Sequence, residues 1–169
     1  MKKDDPMNSS RISMGEGAGG ELMQKLLKEE LLPVIREDAS EDTSGLPPGL
    51  LDDSAAVGDT AFTIDGHTIW PLEFPGGDIG SLSVYGTVND LCVVGAVPSA
   101  LALSLVIEEG FDRVVLKRIA SSIGEASRRS RVKVITGDTK VVEKGGVKGM
   151  ITSTAGIGKR HPDLVECIE

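Results

Sequence analysis

The sequence contains few residues of the types that build disulfide, zinc or aromatic sites. Three Phe, one Tyr and one Trp make up 3% of its 169 residues, so the core has to be filled by Val, Leu, Ile and Ala. Two cysteines make no disulfide framework, and Cys92, inside an apolar run, is expected to be a small buried side chain. His67 and His161 are too isolated to suggest a metal site or a catalytic dyad.

Positive charge is also scarce. The formal net charge is −8 and the pI is about 4.8, which argues against nucleic-acid binding, because that depends on Lys and Arg that neutralise phosphates. No apolar run approaches the roughly 18 residues of a membrane helix, and the polar residues 1–6 do not resemble a signal peptide. We therefore expect a cytoplasmic protein with neither a membrane nor a nucleic-acid partner.

Length and hydrophobic periodicity predict one domain. We expect a flexible N-terminus over residues 1–14, the domain over residues 15–160 and the start of a linker over residues 161–169. Helical and strand-like segments alternate, which is typical of an α+β or α/β domain with one sheet covered by helices. Helices are predicted from Glu21 and over 79–96 and 111–131, and strands over 55–57, 61–64, 67–70, 100–107, 132–136 and 148–157.

A glycine-rich segment precedes the first predicted helix. Gly15-Glu-Gly17-Ala-Gly19-Gly20 has the spacing of a dinucleotide-binding fingerprint, but that site needs a buried strand directly before it. Residues 11–14 are too few and too polar for such a strand. Two other interpretations remain: the glycines form a flexible loop that covers phosphates, or they only lead into a helix cap.

Four acidic motifs are spread along the chain: Asp52-Asp53-Ser54, Asp65, Asn89-Asp90 and Gly137-Asp138-Thr139-Lys140. Each has an ordinary alternative, since such residues also form helix caps, tight turns and solvated helix faces. Asp90 is the most informative, because a carboxylate next to the apolar residues 91–94 is costly to bury without a positive partner. The last motif follows a predicted strand, where ligands of open sheets collect. Since Mg²⁺ prefers carboxylate and phosphate oxygens, the motifs together predict an Mg²⁺–ATP site.

Longer motifs resemble the HypE family of hydrogenase maturation factors. That family belongs to the PurM-like superfamily, with aminoimidazole ribonucleotide synthetase, selenophosphate synthetase and thiamine monophosphate kinase. The matches follow family order through most of the chain, and the Pro-Leu-x-Phe-Pro-Gly-Gly pattern is specific to HypE-like members, although Glu16 stands where the family has His. The matching stretches are residues 17–23, 52–57, 62–65, 71–80, 85–90, 107–110 and 136–142.

The resemblance implies an N-terminal domain with a four-stranded mixed or antiparallel sheet flanked by helices. Two such domains are implied to pair through their sheets into a barrel-like homodimer, with ATP bound near the interface. The implied ligands of Mg²⁺ are Asp53, Asp65, Asp90 and Asp138, with Asp52 as an alternative to Asp53. The nucleotide contacts proposed with them are Gly17, Gly19, Gly20, Asn89, Asp90, Gly137, Asp138, Thr139 and Lys140.

For function, the resemblance implies an ATP-dependent carbamoyl dehydratase. In HypE, ATP activates the oxygen of a thiocarbamoyl group on the C-terminal cysteine, and loss of that oxygen leaves a thiocyanate, the cyanide donor for nickel–iron hydrogenase. The carbamoyltransferase HypF and the HypC–HypD pair are the implied partners. The family's second half is missing here, and Cys167 lacks its tail motif, so we expect an enzyme part that is incomplete alone. The alternatives are a non-catalytic nucleotide-binding scaffold and a phosphotransferase acting on another substrate.

Overall fold

The computed structural model describes residues 11–35 and 53–161, and the chain divides into two compact units, residues 1–42 and residues 43–169. The first unit contains the helical segment that the apolar spacing predicts. Gly19 and Gly20 precede and open it with φ of 82° and 75°, a left-handed conformation that Gly adopts readily. The elements are a 3-10 turn (Met14–Gly17), helix α1 (Gly20–Leu26), a π-helical turn (Leu27–Leu31) and helix α2 (Leu32–Ile35).

The second unit contains the sheet and two long helices. Its strands are β1 (Ala55–Val57), β2 (Thr60–His67), β3 (Glu73–Phe74), β4 (Gly77–Asp78), β5 (Ala96–Glu108), β6 (Lys133–Val142) and β7 (Met150–Arg160). Its helices are α3 (Ile79–Val93) and α4 (Arg113–Arg129).

Five strands form one mixed sheet in the order β1-β2-β7-β5-β6, while β3 and β4 form a separate hairpin. Neighbours in the sheet are antiparallel except β5 and β6, which are parallel because α4 carries the chain back between them. The predicted α+β class, a mixed sheet flanked by helices, is therefore confirmed. The sheet has five strands instead of four because the short β1 pairs with the outer edge of β2.

Helices α3 and α4 pack together, and α3 covers one face of the sheet across β2, β7 and β5. As predicted, α3 is buried on most of its sides. Gly80 lets the two helices touch, since a Cβ there would lie 2.6 Å from the carbonyl oxygen of Ile119 on α4. The main core is aliphatic: Leu72, Ile79, Val84, Leu101, Ile119, Ile123, Ala126, Val132 and Met150.

Among residues 53–161, no helix covers the other face of the sheet, and we call it the open face. Side chains alternate between the faces along a strand, and the pairing register places Phe62 and Ile64 of β2 beside Ile157 and Ala155 of β7. Phe62 is 48% exposed and Ile64 is 67% exposed. The open face is therefore an apolar surface in contact with solvent in the single chain.

Three local predictions are wrong. Strand β6 runs on through residues 137–140, because the bare Gly137 can lie against the carbonyl group of Leu103 on β5. Residues 68–70 form no strand, and the chain leaves the sheet before Pro71, which lacks a backbone N–H. Cys92 is exposed because its neighbour Leu91 takes the buried side of α3.

Several predictions fall outside the described residues: Asp52, Cys167, most of the flexible N-terminus and most of the linker. The single domain over residues 15–160 stays a prediction. None of the helices within residues 11–35 and 53–161 is long and apolar enough to cross a membrane.

Gly80→Ala is expected to lower the free energy of unfolding by about 1–3 kcal/mol, the usual effect of overpacking. The added methyl group would meet the Ile119 carbonyl oxygen and, at 2.9 Å, the side chain of Ile123. The control is Gly124→Ala on α4, where a Cβ would make only an ordinary contact with Arg128 at 3.5 Å. Because Ala has a higher helix propensity than Gly, Gly124→Ala should raise the free energy of unfolding by about 0.5–1 kcal/mol. Urea denaturation measures both variants, and equal stabilisation by the two would contradict the close helix contact.

Candidate functional site

Asp90 lies in the second half of α3, where the helix crosses the sheet beside β2. The Ser54 hydroxyl donates to its carbonyl oxygen at 2.7 Å. The Thr63 hydroxyl donates to the carbonyl oxygen of Asp53 at 2.6 Å and lies 3.3 Å from Asp90 Oδ2. These bonds join the segment before β1, the strand β2 and the helix α3, so two acidic motifs that are far apart in sequence lie side by side.

Asp65 lies on β2, on the face that α3 covers. Its Oδ1 accepts a hydrogen bond from the backbone N–H of Gly66 at 2.7 Å, and its Oδ2 is 3.2 Å from Nε2 of His67. Gly86 of α3 lies directly against it, since a Cβ at that position would be 2.9 Å from Asp65 Oδ2. The close approach of the helix at Gly86 therefore brings Asp90, one turn further along, towards Asp65.

The three carboxylates repel one another, and we call Asp53, Asp65 and Asp90 the acidic cluster. Burial raises the pKa of Asp90 above its ordinary value, and the charges of Asp65 and Asp53 raise that pKa further. The hydrogen bond from Thr63 and the nearby His67 act in the opposite direction with smaller effect. The three carboxylates thus concentrate negative charge around Asp90.

A divalent cation fits the acidic cluster. Carboxylate oxygens are the ligands that Mg²⁺ takes, and a cation between them would remove the repulsion that raises the pKa of Asp90. Within residues 11–35 and 53–161, no three His, Cys, Asp or Glu side chains are already spaced to hold a metal ion. The carboxylates therefore suit Mg²⁺ that keeps water and phosphate oxygens among its ligands, which is its usual coordination in nucleotide sites.

The fourth acidic motif, Gly137-Asp138-Thr139-Lys140, lies within β6 and apart from the acidic cluster. Asp138 pairs with Ser104 across the sheet and, with Ile64, lines a shallow cavity of about 280 Å³ on the open face. Asp65 directly follows Ile64, so its side chain points to the opposite face, and two strands separate β2 from β6. Within one chain, Asp138 therefore does not join the acidic cluster.

Asp138 is held by its own neighbours on β6. Lys140 Nζ is 2.8 Å from Oδ2, and the backbone N–H of Thr139 donates to Oδ1 at 2.9 Å. The lysine hydrogen bond, followed by the backbone one, lowers the pKa of Asp138. The carboxylate and the ammonium group are both more than half exposed, so this pair is open to a further ligand. Asn89, next to Asp90 on α3, is exposed as well.

The glycine-rich segment belongs to the first unit. The described residues directly before it, 11–13, form no strand. Glu16 is buried and accepts hydrogen bonds from the backbone N–H and the hydroxyl of Ser13, at 2.5 Å and 2.7 Å, and these bonds lower its pKa. Glu16 therefore caps the 3-10 turn, and phosphate binding at Gly17, Gly19 and Gly20 stays a prediction.

Sequence reasoning missed four residues that shape the acidic cluster: Ser54, Thr63, His67 and Gly86. The two hydroxyl residues carry no pattern that separates them from other Ser and Thr. His67 looks isolated in the sequence because Asp65-Gly66 is typical of a hairpin turn. Strand β2 instead runs through both positions, so the spacing of two puts Asp65 and His67 on one face. Gly86, inside a predicted buried helix, was the visible sign that something approaches the helix closely.

The largest cavity described in the second unit is a groove of about 700 Å³ that contains no residue of the acidic cluster. Trp70, Leu72 and Phe111 line it, and Lys148 Nζ lies 4.7 Å from the centre of the Trp70 ring. Size alone would favour this groove as the binding site. Three of the groove's four carboxylates already have partners: Glu73 pairs with Arg118, Glu108 accepts backbone hydrogen bonds from Gly145 and Gly149, and Asp112 caps α4. The acidic cluster instead crowds carboxylates together, so it is the better candidate for a cation.

Comparison with known proteins identifies related sequences. The family model for the AIR synthase related protein, N-terminal domain, matches residues 51–159. The carbamoyl dehydratase HypE of Bradyrhizobium diazoefficiens is 54% identical over 150 residues, which cover 87% of this chain and 41% of that protein. The chain spans somewhat less than half the length of the curated relatives that it matches.

Two solved structures extend the similarity to the fold. A crystal structure of a HypE–HypF complex matches with a TM-score of 0.70 and 39% identity, over 84% of this chain and 43% of that one. A crystal structure of the hydrogenase maturation protein HypE in complex with ATP matches with a TM-score of 0.62 and 38% identity, over 86% of this chain and 42% of that one. The PurM-like fold is therefore shown.

Asp90→Asn is expected to raise the melting temperature at neutral pH by a few degrees, because the amide removes a repelled charge. The folded state holds the proton of Asp90 more tightly than the unfolded chain does, since the pKa is raised from its ordinary 3.8. Ionisation of Asp90 therefore lowers the free energy of unfolding as the pH rises through the raised pKa. This loss is absent below the pKa that Asp90 has in the unfolded chain. Thermal melts should show the variant and the wild type converging at about pH 3.

The matched control is Glu109→Gln, an exposed carboxylate outside the acidic cluster. It should change the melting temperature little at either pH, as surface substitutions usually do. If Asp90→Asn melts at a lower temperature than the wild type at neutral pH, the inferred repulsion of Asp90 by the other two carboxylates is wrong.

Proposed function

The chain belongs to the AIR synthase related protein family, through that family's N-terminal domain, and from this membership we propose that it is the ATP-binding and dimerisation part of a HypE-like carbamoyl dehydratase. In the whole protein, ATP would supply the phosphoryl group that turns the oxygen of a cysteine thiocarbamate into a leaving group. The residues of this chain would bind and orient the nucleotide.

One observation carries the proposal: the convergence of Asp53, Asp65 and Asp90 beneath α3. A structural role for three crowded carboxylates is unfavourable, because their repulsion lowers the stability of the empty protein. Raised pKa values of this kind gather at functional sites, where a ligand balances the charge. We assign Mg²⁺ to this cluster, with Asp52 as the alternative to Asp53, and the triphosphate beside it near Asn89.

The open face supports a homodimer. Exposed apolar side chains of neighbouring strands, among them Phe62, Ile64 and Ile157, form a continuous surface on it. Contiguous apolar patches on soluble proteins usually mark interaction sites. A second copy that packs its own open face here would bury both surfaces, which is the self-complementary contact of a two-fold dimer.

Dimerisation would also explain the position of Asp138. A two-fold axis that runs along the strands places β6 of one chain opposite the β1–β2 edge of its partner. We infer that Asp138, Thr139 and Lys140 contact the triphosphate where it extends past the β1–β2 edge of the partner, since the acidic cluster itself lies on the face that α3 covers. Lys140 would then exchange its exposed bond with Asp138 for phosphate oxygens.

The rest of the reaction is assigned to the regions of the relatives that this chain does not match. A cysteine thiocarbamate acceptor and a second domain would complete the dehydratase, since this chain matches less than half of its relatives. A carbamoyltransferase like the HypF seen with HypE is the proposed partner that loads the cysteine. HypC and HypD remain further partners of the proposal.

Isothermal titration calorimetry should detect ATP binding that requires Mg²⁺. Asp65→Asn is expected to weaken that binding by about tenfold or more, the usual effect of losing an interaction at a metal site. Glu109→Gln, outside the cluster, should bind as the wild type does. Equal affinity with EDTA and with Mg²⁺, or full affinity in Asp65→Asn, would contradict the assignment.

A heterodimer of two inactive variants tests whether Asp138 of one chain contributes to the nucleotide site of the other. Asp90→Ala and Asp138→Ala are each expected to abolish ATP binding as homodimers. Co-expression with two different tags gives a heterodimer in which one of the two sites keeps both aspartates, so it should bind about one ATP per dimer. If Asp138 acted within its own chain, both sites of the heterodimer would be damaged and no binding would return.

Ile64→Asp is expected to convert the dimer into a monomer, because it places a charge in the apolar centre of the open face. Sedimentation velocity measures the change in mass. The control is Val114→Asp on α4, which is 62% exposed and lies off the open face, and which should leave the dimer intact. A wild-type chain that sediments as a monomer at micromolar concentration would contradict the dimer proposal.

A further inference from the structure

His67 is buried next to the acidic cluster without a complete set of hydrogen bonds. Its side chain is 10% exposed, and it follows Asp65 by two positions on β2, so both side chains lie on the face that α3 covers. Nε2 faces Asp65 Oδ2 at 3.2 Å. The other ring nitrogen, Nδ1, is buried and has no hydrogen-bond partner among residues 11–35 and 53–161.

These surroundings select one tautomer of the ring. A buried N–H without an acceptor is unfavourable by about 1–3 kcal/mol. A proton on Nδ1 would be such a group, whereas a proton on Nε2 is donated to the Asp65 carboxylate. The favoured form therefore has Nε2–H bonded to Asp65 and a bare Nδ1.

From this geometry we propose that His67 is a positioning residue, which holds the Asp65 carboxylate in the orientation that binds the cation. The inference rests on the proposed Mg²⁺–ATP function for the identity of the ligand. It does not depend on that function for the hydrogen bond itself.

The two bonds to Asp65 leave room for a cation. Gly66 N–H donates to Oδ1 and His67 donates to Oδ2, so each oxygen uses one of its two acceptor positions. The carboxylate cannot rotate without breaking both bonds, and the second position of each oxygen remains for a ligand. Hydrogen bonds of this kind, from a group that does not touch the metal, orient the ligands of metal sites.

Helix α3 packs against the hydrogen-bonded pair of Asp65 and His67. A Cβ on Gly86 would lie 2.9 Å from Asp65 Oδ2 and 3.2 Å from His67 Nε2, so the bare backbone of the helix rests on this hydrogen bond. The helix backbone therefore packs directly against the side where the ring and the carboxylate meet.

The first test reads the tautomer without any nucleotide. The chain has two histidines, so a two-bond ¹H–¹⁵N NMR spectrum contains two imidazoles, and His161→Gln identifies the signals of His67. The ligand-free wild type should show a proton on Nε2. A bare Nε2, as in the other tautomer, would overturn the proposal.

The second test measures Mn²⁺ binding in the presence of ATP by electron paramagnetic resonance. His67→Gln can still donate to Asp65 and should stay close to wild-type affinity, whereas His67→Leu, with no donor, should lose about tenfold. Wild-type affinity in His67→Leu, or an equal loss in both variants, would overturn the positioning role. Thermal melts confirm that each variant is folded, and the NMR test decides the hydrogen bond if His67→Leu is not.

The two tests separate the possible failures. If the wild type binds no Mn²⁺–ATP, the proposed function is wrong, and the NMR result still decides whether His67 holds Asp65. If the wild type binds normally but both variants bind equally, the nucleotide site stands and the role of His67 is wrong.

Discussion

The close approach of α3 to the sheet is the constraint on which the rest of this structure depends. Two glycines permit it. Gly156 on β7 leaves space for Leu91 and Thr87 of the helix, where a Cβ would be 3.0 Å and 2.7 Å from their side chains, and Gly86 on α3 leaves space for Asp65. The Thr87 hydroxyl then reaches the Thr154 carbonyl oxygen of β7 at 3.2 Å. With larger residues at these two positions the helix would stand further away, and the acidic residues of helix and strand would not meet.

The position that the helix takes has an energetic consequence. Most of the unit is held by an aliphatic core, but beside β2 the same packing forces charged and polar groups together. Repulsion between the carboxylates lowers the stability of the folded chain, and a bound cation would raise that stability again. The acidic cluster is therefore better explained by a ligand than by folding. The stability needed to tolerate it comes from the contact of α3 with α4 at Gly80 and from the burial of residues such as Ile79 and Leu101.

Much of the fold could be predicted from the sequence, because long apolar periodicities decide the type of each long element. The buried helix at α3 and the amphipathic helix at α4 follow from their spacing alone. Two things could not be predicted. The length of β6 depends on pairing with β5, which no local pattern through Asp138 reveals, and the face on which Asp138 lies follows from that pairing. The bonds around Asp65 depend on tertiary distances, so the role of His67 had no sequence signal beyond its spacing of two.

The separation of Asp138 from the acidic cluster has a chemical logic of its own. In the single chain its charge is satisfied by Lys140, in an exposed ion pair of the kind that contributes about 0–1 kcal/mol. Such a pair keeps a cation and an anion in fixed positions on β6 and gives way readily to a stronger ligand. The acidic cluster differs, because no lysine or arginine is among the contacts described for Asp65 and Asp90. Under the proposed dimer, the acidic cluster and the Asp138–Lys140 pair would be complementary half-sites, because the first lacks a described lysine or arginine contact at Asp65 and Asp90 and the second can release a lysine to phosphate.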